Sequence, residues 1–381
     1  MQIPSARTRP IALAEVIVAC YLSMFLLGLA SNIYGPALVY LAAETHESPA
    51  TLGLLVVFQW VGFLSSALAT NRFARRFEVR RSMVLATALV GLGVLGLIGL
   101  PVPLNLASAL VIGLGAGMTE ILLNRLVELL AAGAPAAELN RIHAMWGLGA
   151  VMMPLAVVGA VWLGLGWRGA GLVAVGVAIL TAGLIVRWRE FTVPHGAGVD
   201  LKGLAWRSIL LLILMFIIYV GAEVAVGTWA TTFFAKLGQG PFLGAIATSF
   251  FFVTFTIGRL TLAAVPERVG YARSIRGAML LAAGALALTL YTPLAVVGFA
   301  LTGIAMSIVF PTLFAWAARR HPEIRPQIAS VVLAATAAGG ILLPYAFGWG
   351  VELWGAWTLP PMLIAASLTV SLLTLFEPNA N

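Results

Sequence analysis

The chain has 381 residues, of which 61% are hydrophobic and only 9% charged, and its mean hydropathy is +1.03. A soluble domain carries about 25% charged residues, so the composition excludes a soluble globular protein and places most of the chain in a membrane. The formal charge of +8 does not point to nucleic acid, because the basic residues recur between apolar runs and form no single patch. Cys20 is the only cysteine and lies in the first apolar run, which leaves no internal disulfide and no metal-ligand spacing.

A bilayer core takes about 20 apolar residues per helix, and twelve such runs can be marked: 13–41, 51–71, 82–100, 103–132, 140–164, 167–186, 207–235, 243–264, 276–292, 294–318, 327–351 and 357–376. The first holds Asn32 four residues before Pro36, and the second holds Gln59 and Trp60. The fourth reads Gly-Leu-Gly-Ala-Gly-Met-Thr-Glu from Gly113 to Glu120, with Asn124 one turn on. A carboxylate at membrane depth costs about 2.5–3.5 kcal/mol on insertion scales, so by default it faces a bundle interior or a wet cavity and has a function. The three glycines before it let a neighbouring helix come close, and residues four apart share a helix face, so Glu120 and Asn124 are expected to line one path. The rival reading makes Glu120 a packing acid tied to an arginine. Arg125 lies off that face and is expected to pair with Glu128 instead.

The fifth run carries His143 and Trp146, the seventh Glu223 and Trp229, and the eighth Arg259. Histidine titrates within the working pH range, which suits it to sit beside Glu120; the alternative is a helix-start residue. Glu223 is a second intramembrane acid, read either as functional or as a brace between helices. Trp229 lies about 120° from the Glu223 face, and it reads as a sugar-stacking ring or an interface anchor. Arg259 requires a partner or a route to the surface.

The longest polar connection, 187–206, divides the chain into a six-span half at 1–186 and a second at 207–381. With twelve spans both termini share a side, and that side carries 18 of the 22 basic residues. This asymmetry predicts cytoplasmic termini in an inner (plasma) membrane. Gly149 and Pro154 recur as Gly339 and Pro344, both offset by 190 residues, as expected for parallel six-span repeats with a site between the halves.

With these residues in view, the chain resembles the major facilitator superfamily, and within it the L-fucose:proton symporter family. The resemblance rests on Gly113-Leu-Gly with Glu120 and Asn124, on Leu139-Asn140 followed by Gly149, on Tyr219-Val-Gly-Ala-Glu223-Val-Ala, and on Met306-Ser-Ile-Val-Phe-Pro-Thr-Leu-Phe314. It implies an all-α fold of twelve transmembrane helices in two pseudo-symmetric six-helix halves. It also implies that Glu120 is the acid whose protonation is coupled to sugar binding. Asn32 stands where the family has an aspartate, His143 where it has a glutamine, and Trp146 where it has an asparagine. The family's latch loop between spans two and three falls near Asn71, Arg72, Arg75 and Arg76, without its usual aspartate.

No nucleophile elbow and no phosphate-binding loop is present. The expectation is therefore a secondary transporter, not an enzyme, with no cofactor. It moves a sugar-like small molecule by alternating access, with protons, cargo and the bilayer as its partners, and works as a monomer. Glu120, Glu223 and His143 are the expected proton-coupling groups; Asn32, Gln59, Asn124, His143, Trp146, Glu223 and Trp229 are the expected cargo contacts. The alternatives are a proton-coupled exporter, a sugar uniporter and a non-transporting receptor or scaffold.

Overall fold

The computed structural model describes residues 13–73, 78–130, 135–188, 206–321 and 325–376. Among them are fifteen α-helices and no strand. The first span is α1 (Leu13–Ser31) followed by α2 (Tyr34–Thr45). Next come α3 (Pro49–Phe73), α4 (Val79–Gly99), α5 (Asn105–Leu130), α6 (Pro135–Trp162) and α7 (Arg168–Val186), which complete the first six spans. The second set begins with α8 (Trp206–Lys236) and α9 (Gly240–Thr261), then a short α10 (Val265–Val269) and α11 (Tyr271–Leu288). It continues with α12 (Ala295–Met306) and α13 (Val309–Arg320) as one span, then α14 (Arg325–Trp354) and α15 (Leu359–Leu373). Eleven of these spans are long and apolar enough to cross a membrane by length and composition. The twelfth, α11, is diluted by Arg273 and Arg276 in its first turns.

The two broken spans share a feature, a proline four residues past the start of the lapse. Proline has no N–H to offer the carbonyl four residues back. Pro36 stands four residues after Asn32, and Pro311 four after Ser307; the helix lapses at 32–33 and at 307–308. Pro154 and Pro344 lie inside α6 and α14, which stay continuous.

Alternation of the spans is confirmed by contacts at each face. The near face, with the start of α1, carries the Tyr21 hydroxyl donating to Glu138 at 2.7 Å, Arg80 donating to the Trp188 carbonyl at 3.0 Å, and Arg276 donating to Thr374 at 3.0 Å. On the far face Arg168 grips Glu44 through two hydrogen bonds of 2.8 and 2.7 Å, and the Trp167 indole donates to the same carboxylate.

The spans sort into layers. Leu92 on α4, Ile179 on α7, Leu281 on α11 and Leu372 on α15 are exposed, so these helices form the lipid-facing rim. By contrast, α5 has no exposed residue from Ser108 to Asn124, which makes it an inner helix. The glycines of the fourth run explain its seat. A Cβ on Gly113 or Gly117 would strike the carbonyls of Gln59 and Phe63 on α3, and one on Gly115 would strike α4 at Ala86 and Val90. The Gly-x4-Pro repeat also has a packing origin. Gly149 seats α6 on α1 at Phe25 and Gly28, and Gly339 seats α14 on α8 at Ile217 and Gly221.

Candidate cargo and proton site

The inner helices bring the predicted polar residues to the centre from both sets. In the first set, Glu120 on α5 has 23% of its side chain exposed, and His143 on α6 has 37%. The His143 Nε2 stands 3.8 Å from Glu120 Oε1, and the Asn124 amide donates to the same oxygen at 3.4 Å. Among the described residues, no lysine or arginine lies within ion-pair distance of Glu120, and His143 is the nearest basic side chain. The Arg125 and Glu128 side chains lie outside the described residues, as do those of Asn71, Arg72, Asn140 and the segment with Arg75 and Arg76.

At the break in the first span, Asn32 is buried and its amide donates to the Gly28 carbonyl at 2.9 Å. Its carbonyl oxygen lies towards Gly227 on α8. Gln59 is also buried and donates to Ser31 at 3.3 Å. Trp146 meets Phe252 edge-on, with ring centroids 5.8 Å apart, across the α6–α9 seam. Trp60 lies against Gly340 across the α3–α14 seam and packs on Phe63 at 5.2 Å. The aromatic rings of the site thus come from both sets.

Glu223 points towards the same centre. It lies about 40° round α8 from Gly227, and Gly227 faces Phe252 and Asn32. Arg259 and Tyr219 are the polar groups that face its carboxylate. The Arg259 guanidinium lies over the Phe255 ring at 4.3 Å. The Tyr219 hydroxyl donates at 3.1 Å to the carbonyl of Met306, at the edge of the break between α12 and α13. Sequence reasoning singled out Glu223 and Arg259 separately; their proximity depends on how α8 packs on α9 and was not legible from spacing.

Trp229 is placed differently from a cargo platform. It is 1% exposed, its indole donates to the Pro344 carbonyl at 2.7 Å, and its ring fills the space between Gly53 on α3 and Gly348 on α14. In this state no face of the ring is open to a ligand. It belongs to a seal between the two sets on the far side. That seal also contains Gly35 of α2 against the Gly227 carbonyl of α8, and Glu352 of α14 accepting the Ala50 N–H at the start of α3 at 3.1 Å. Gly35 and Glu352 carry no local mark in the sequence, since nothing in the neighbouring residues identifies one that touches the other half.

A twelve-span bundle with two broken spans, a sealed far side and a central polar site is the architecture of a membrane transporter. The sequence profile of the Major Facilitator Superfamily matches residues 20–246, more than half of the chain, and the chain belongs to that superfamily. It is 24% identical over 344 residues to an uncharacterized MFS-type transporter of Yersinia pestis, covering 88% of this chain and 89% of that one. Its fold is similar to the nucleoside transporter NupG, with a TM-score of 0.76 at 14% identity over 97% of this chain and 99% of the other. It is also similar to the D-xylose-proton symporter, with 0.75 at 18% identity over 94% and 97%. Against FucP in the outward conformation the values are 0.64 at 16% identity over 97% and 99%.

Proposed function

We propose that the protein is a proton-coupled secondary transporter of the inner membrane, with cytoplasmic termini, that moves a sugar or related hydroxylated molecule by alternating access through a site in which Glu120 is the proton-titrating group. One observation carries this reading. Glu120 sits on an inner helix, partly open to solvent, and its polar partners among the described residues are Asn124 and His143. An ionised carboxylate there is costly, and protonation removes that cost before the site is closed off.

The remaining geometry supports the cycle. The contacts named between the sets lie at mid-height or on the far side, and Glu120 and His143 remain partly exposed. With cytoplasmic termini this is the inward-facing, release state. Asn32, Gln59, Asn124 and His143 supply donors and acceptors for hydroxyl groups, and Trp146 with Phe252 offers an apolar ring face. Rocking of the halves about this centre exposes it to each side in turn. The solved nucleoside, xylose and fucose transporters of the same fold carry hydroxylated cargo, which agrees with this choice.

The test is a pH jump across proteoliposomes with radiolabelled sugars. Wild-type protein accumulates its cargo when the outside is acidified. A Glu120→Gln variant that still concentrates cargo in response to the pH gradient overturns the proposal. Phe314, 37% exposed on the near-side span α13, favours one second reading, proton-coupled export of an amphiphile. The polarity of the gradient that drives flux separates the two.

A further inference from the structure

Glu223 stands part-way along α8 and Arg259 in the last turn of α9, in an arrangement that packing alone does not explain. Both come from the second set, opposite Glu120. At 1.5 Å per residue, Glu223 lies about 20 Å along α8 from its far end at Lys236, and Glu120 about 22 Å along α5 from Asn105. The two acids therefore face the centre at one depth from opposite walls.

The pair is close but not closed. The Tyr219 hydroxyl lies within reach of both Glu223 and Arg259, and among the described residues no ion pair within 4.0 Å joins the two directly. The Arg259 Nε is buried and has no hydrogen-bond partner. Stacking on Phe255 fixes the plane of the guanidinium; one of its donors is met by the Tyr219 hydroxyl, and Nε is left in that plane to be filled. The neighbouring Tyr219 hydroxyl has committed its proton to the Met306 carbonyl. A buried donor left unmade carries a desolvation cost of about 1–3 kcal/mol, and a bound molecule that meets it recovers that cost.

We propose that Glu223 and Arg259 form the second wall of the cargo site and bind two adjacent hydroxyl groups of an uncharged cargo, the guanidinium donating to one and the carboxylate accepting from the other. This rests on the reading of the cargo as a hydroxylated small molecule, and it deepens that reading to a vicinal diol. Charge balance supports it. A carboxylate and a guanidinium sum to zero, so an uncharged diol adds no net charge to the membrane interior. A cargo bearing its own carboxylate would bring a second anion against Glu223. The arrangement also divides the labour: Glu120 changes charge during the cycle, while the opposite wall reads the cargo.

The experiment measures ligand-dependent stabilisation of the purified full-length protein. The probes are L-fucose, D-xylose and uridine, with 2′,3′-dideoxyuridine lacking the diol and D-glucuronate adding a carboxylate. In wild type, at least one diol probe stabilises the protein, and a matched analogue without the diol binds about 10–100-fold more weakly, the range expected for hydrogen bonds to charged groups. In Arg259→Gln, and separately in Glu223→Gln, the diol probe weakens by a similar factor and the preference over its deoxy analogue disappears. Arg259→Lys keeps the charge but lacks the planar fork and recovers only part of the preference. A preference that survives in both glutamine variants overturns the proposal, as does tighter binding of glucuronate than of the neutral sugars, or stabilisation by none of the diol probes. Loss of pH-gradient dependence of uptake in Glu120→Gln tests the coupling reading separately.

Discussion

Replacing Gly35 by alanine perturbs one state of the transport cycle and spares the other. Gly35 begins the far-side half of the first span, next to the buried Tyr34. An added methyl group there is driven into the carbonyl oxygen of Gly227 on α8. Both partners are helix backbone, so no side chain can swing aside. Overpacking of this kind costs about 1–3 kcal/mol. In the outward-open state α2 and α8 part and the methyl group finds room, so the cost falls on the far-side-sealed state alone. The equilibrium then shifts about 5–150-fold towards far-side opening. The readout is maleimide labelling, applied from the far side, of a cysteine placed at Ala50, which is 4% exposed in the sealed state. The native Cys20 is buried inside α1 and contributes little background. Gly176→Ala is the control, since a Cβ there meets no atom within 4 Å. An unchanged labelling rate in folded Gly35→Ala protein would show that α2 and α8 do not separate, and would refute the gate as drawn.

Glu352→Gln keeps the hydrogen bond to Ala50 but removes the charge that favours the N-terminus of α3. A loss of about 0.3–1 kcal/mol at this exposed position predicts a 2- to 5-fold rise in the same labelling rate, diminishing as salt is added. Pro311→Ala supplies the N–H that can donate to the Ser307 carbonyl and tends to heal the break between α12 and α13. Cargo binding is expected to persist while the uptake rate falls; equal uptake rates in variant and wild type would remove the break from the mechanism.

The spans were legible because burial in lipid leaves only one solution for the backbone, a closed hydrogen-bonded helix, and that solution needs long apolar runs. The breaks were half legible. Pro36, Pro311, Pro154 and Pro344 all sit within spans, and nothing in the sequence says that only the first two interrupt their helices. Glu120 and Asn124 were legible because four residues make one turn. His143 joined them through the expected neighbourhood of the fourth and fifth spans. Contacts between the two sets were not legible: Trp229 reads as a sugar platform ahead of an anchor until α14 is seen against it, and Arg259 gains its meaning only beside Glu223. The boundaries proposed at 186 and 207 rest on the polar segment 187–206, whose residues 189–205 lie outside the described structure.

The central claim concerns the charge on Glu120, and proton movement reports it most directly. Proteoliposomes loaded with a pH-sensitive dye, given cargo with no imposed pH gradient, are predicted to acidify as cargo enters. The Glu120→Gln protein is predicted to exchange labelled for unlabelled cargo with no change in dye signal. Cargo-driven acidification by Glu120→Gln equal to that of wild type would contradict the account.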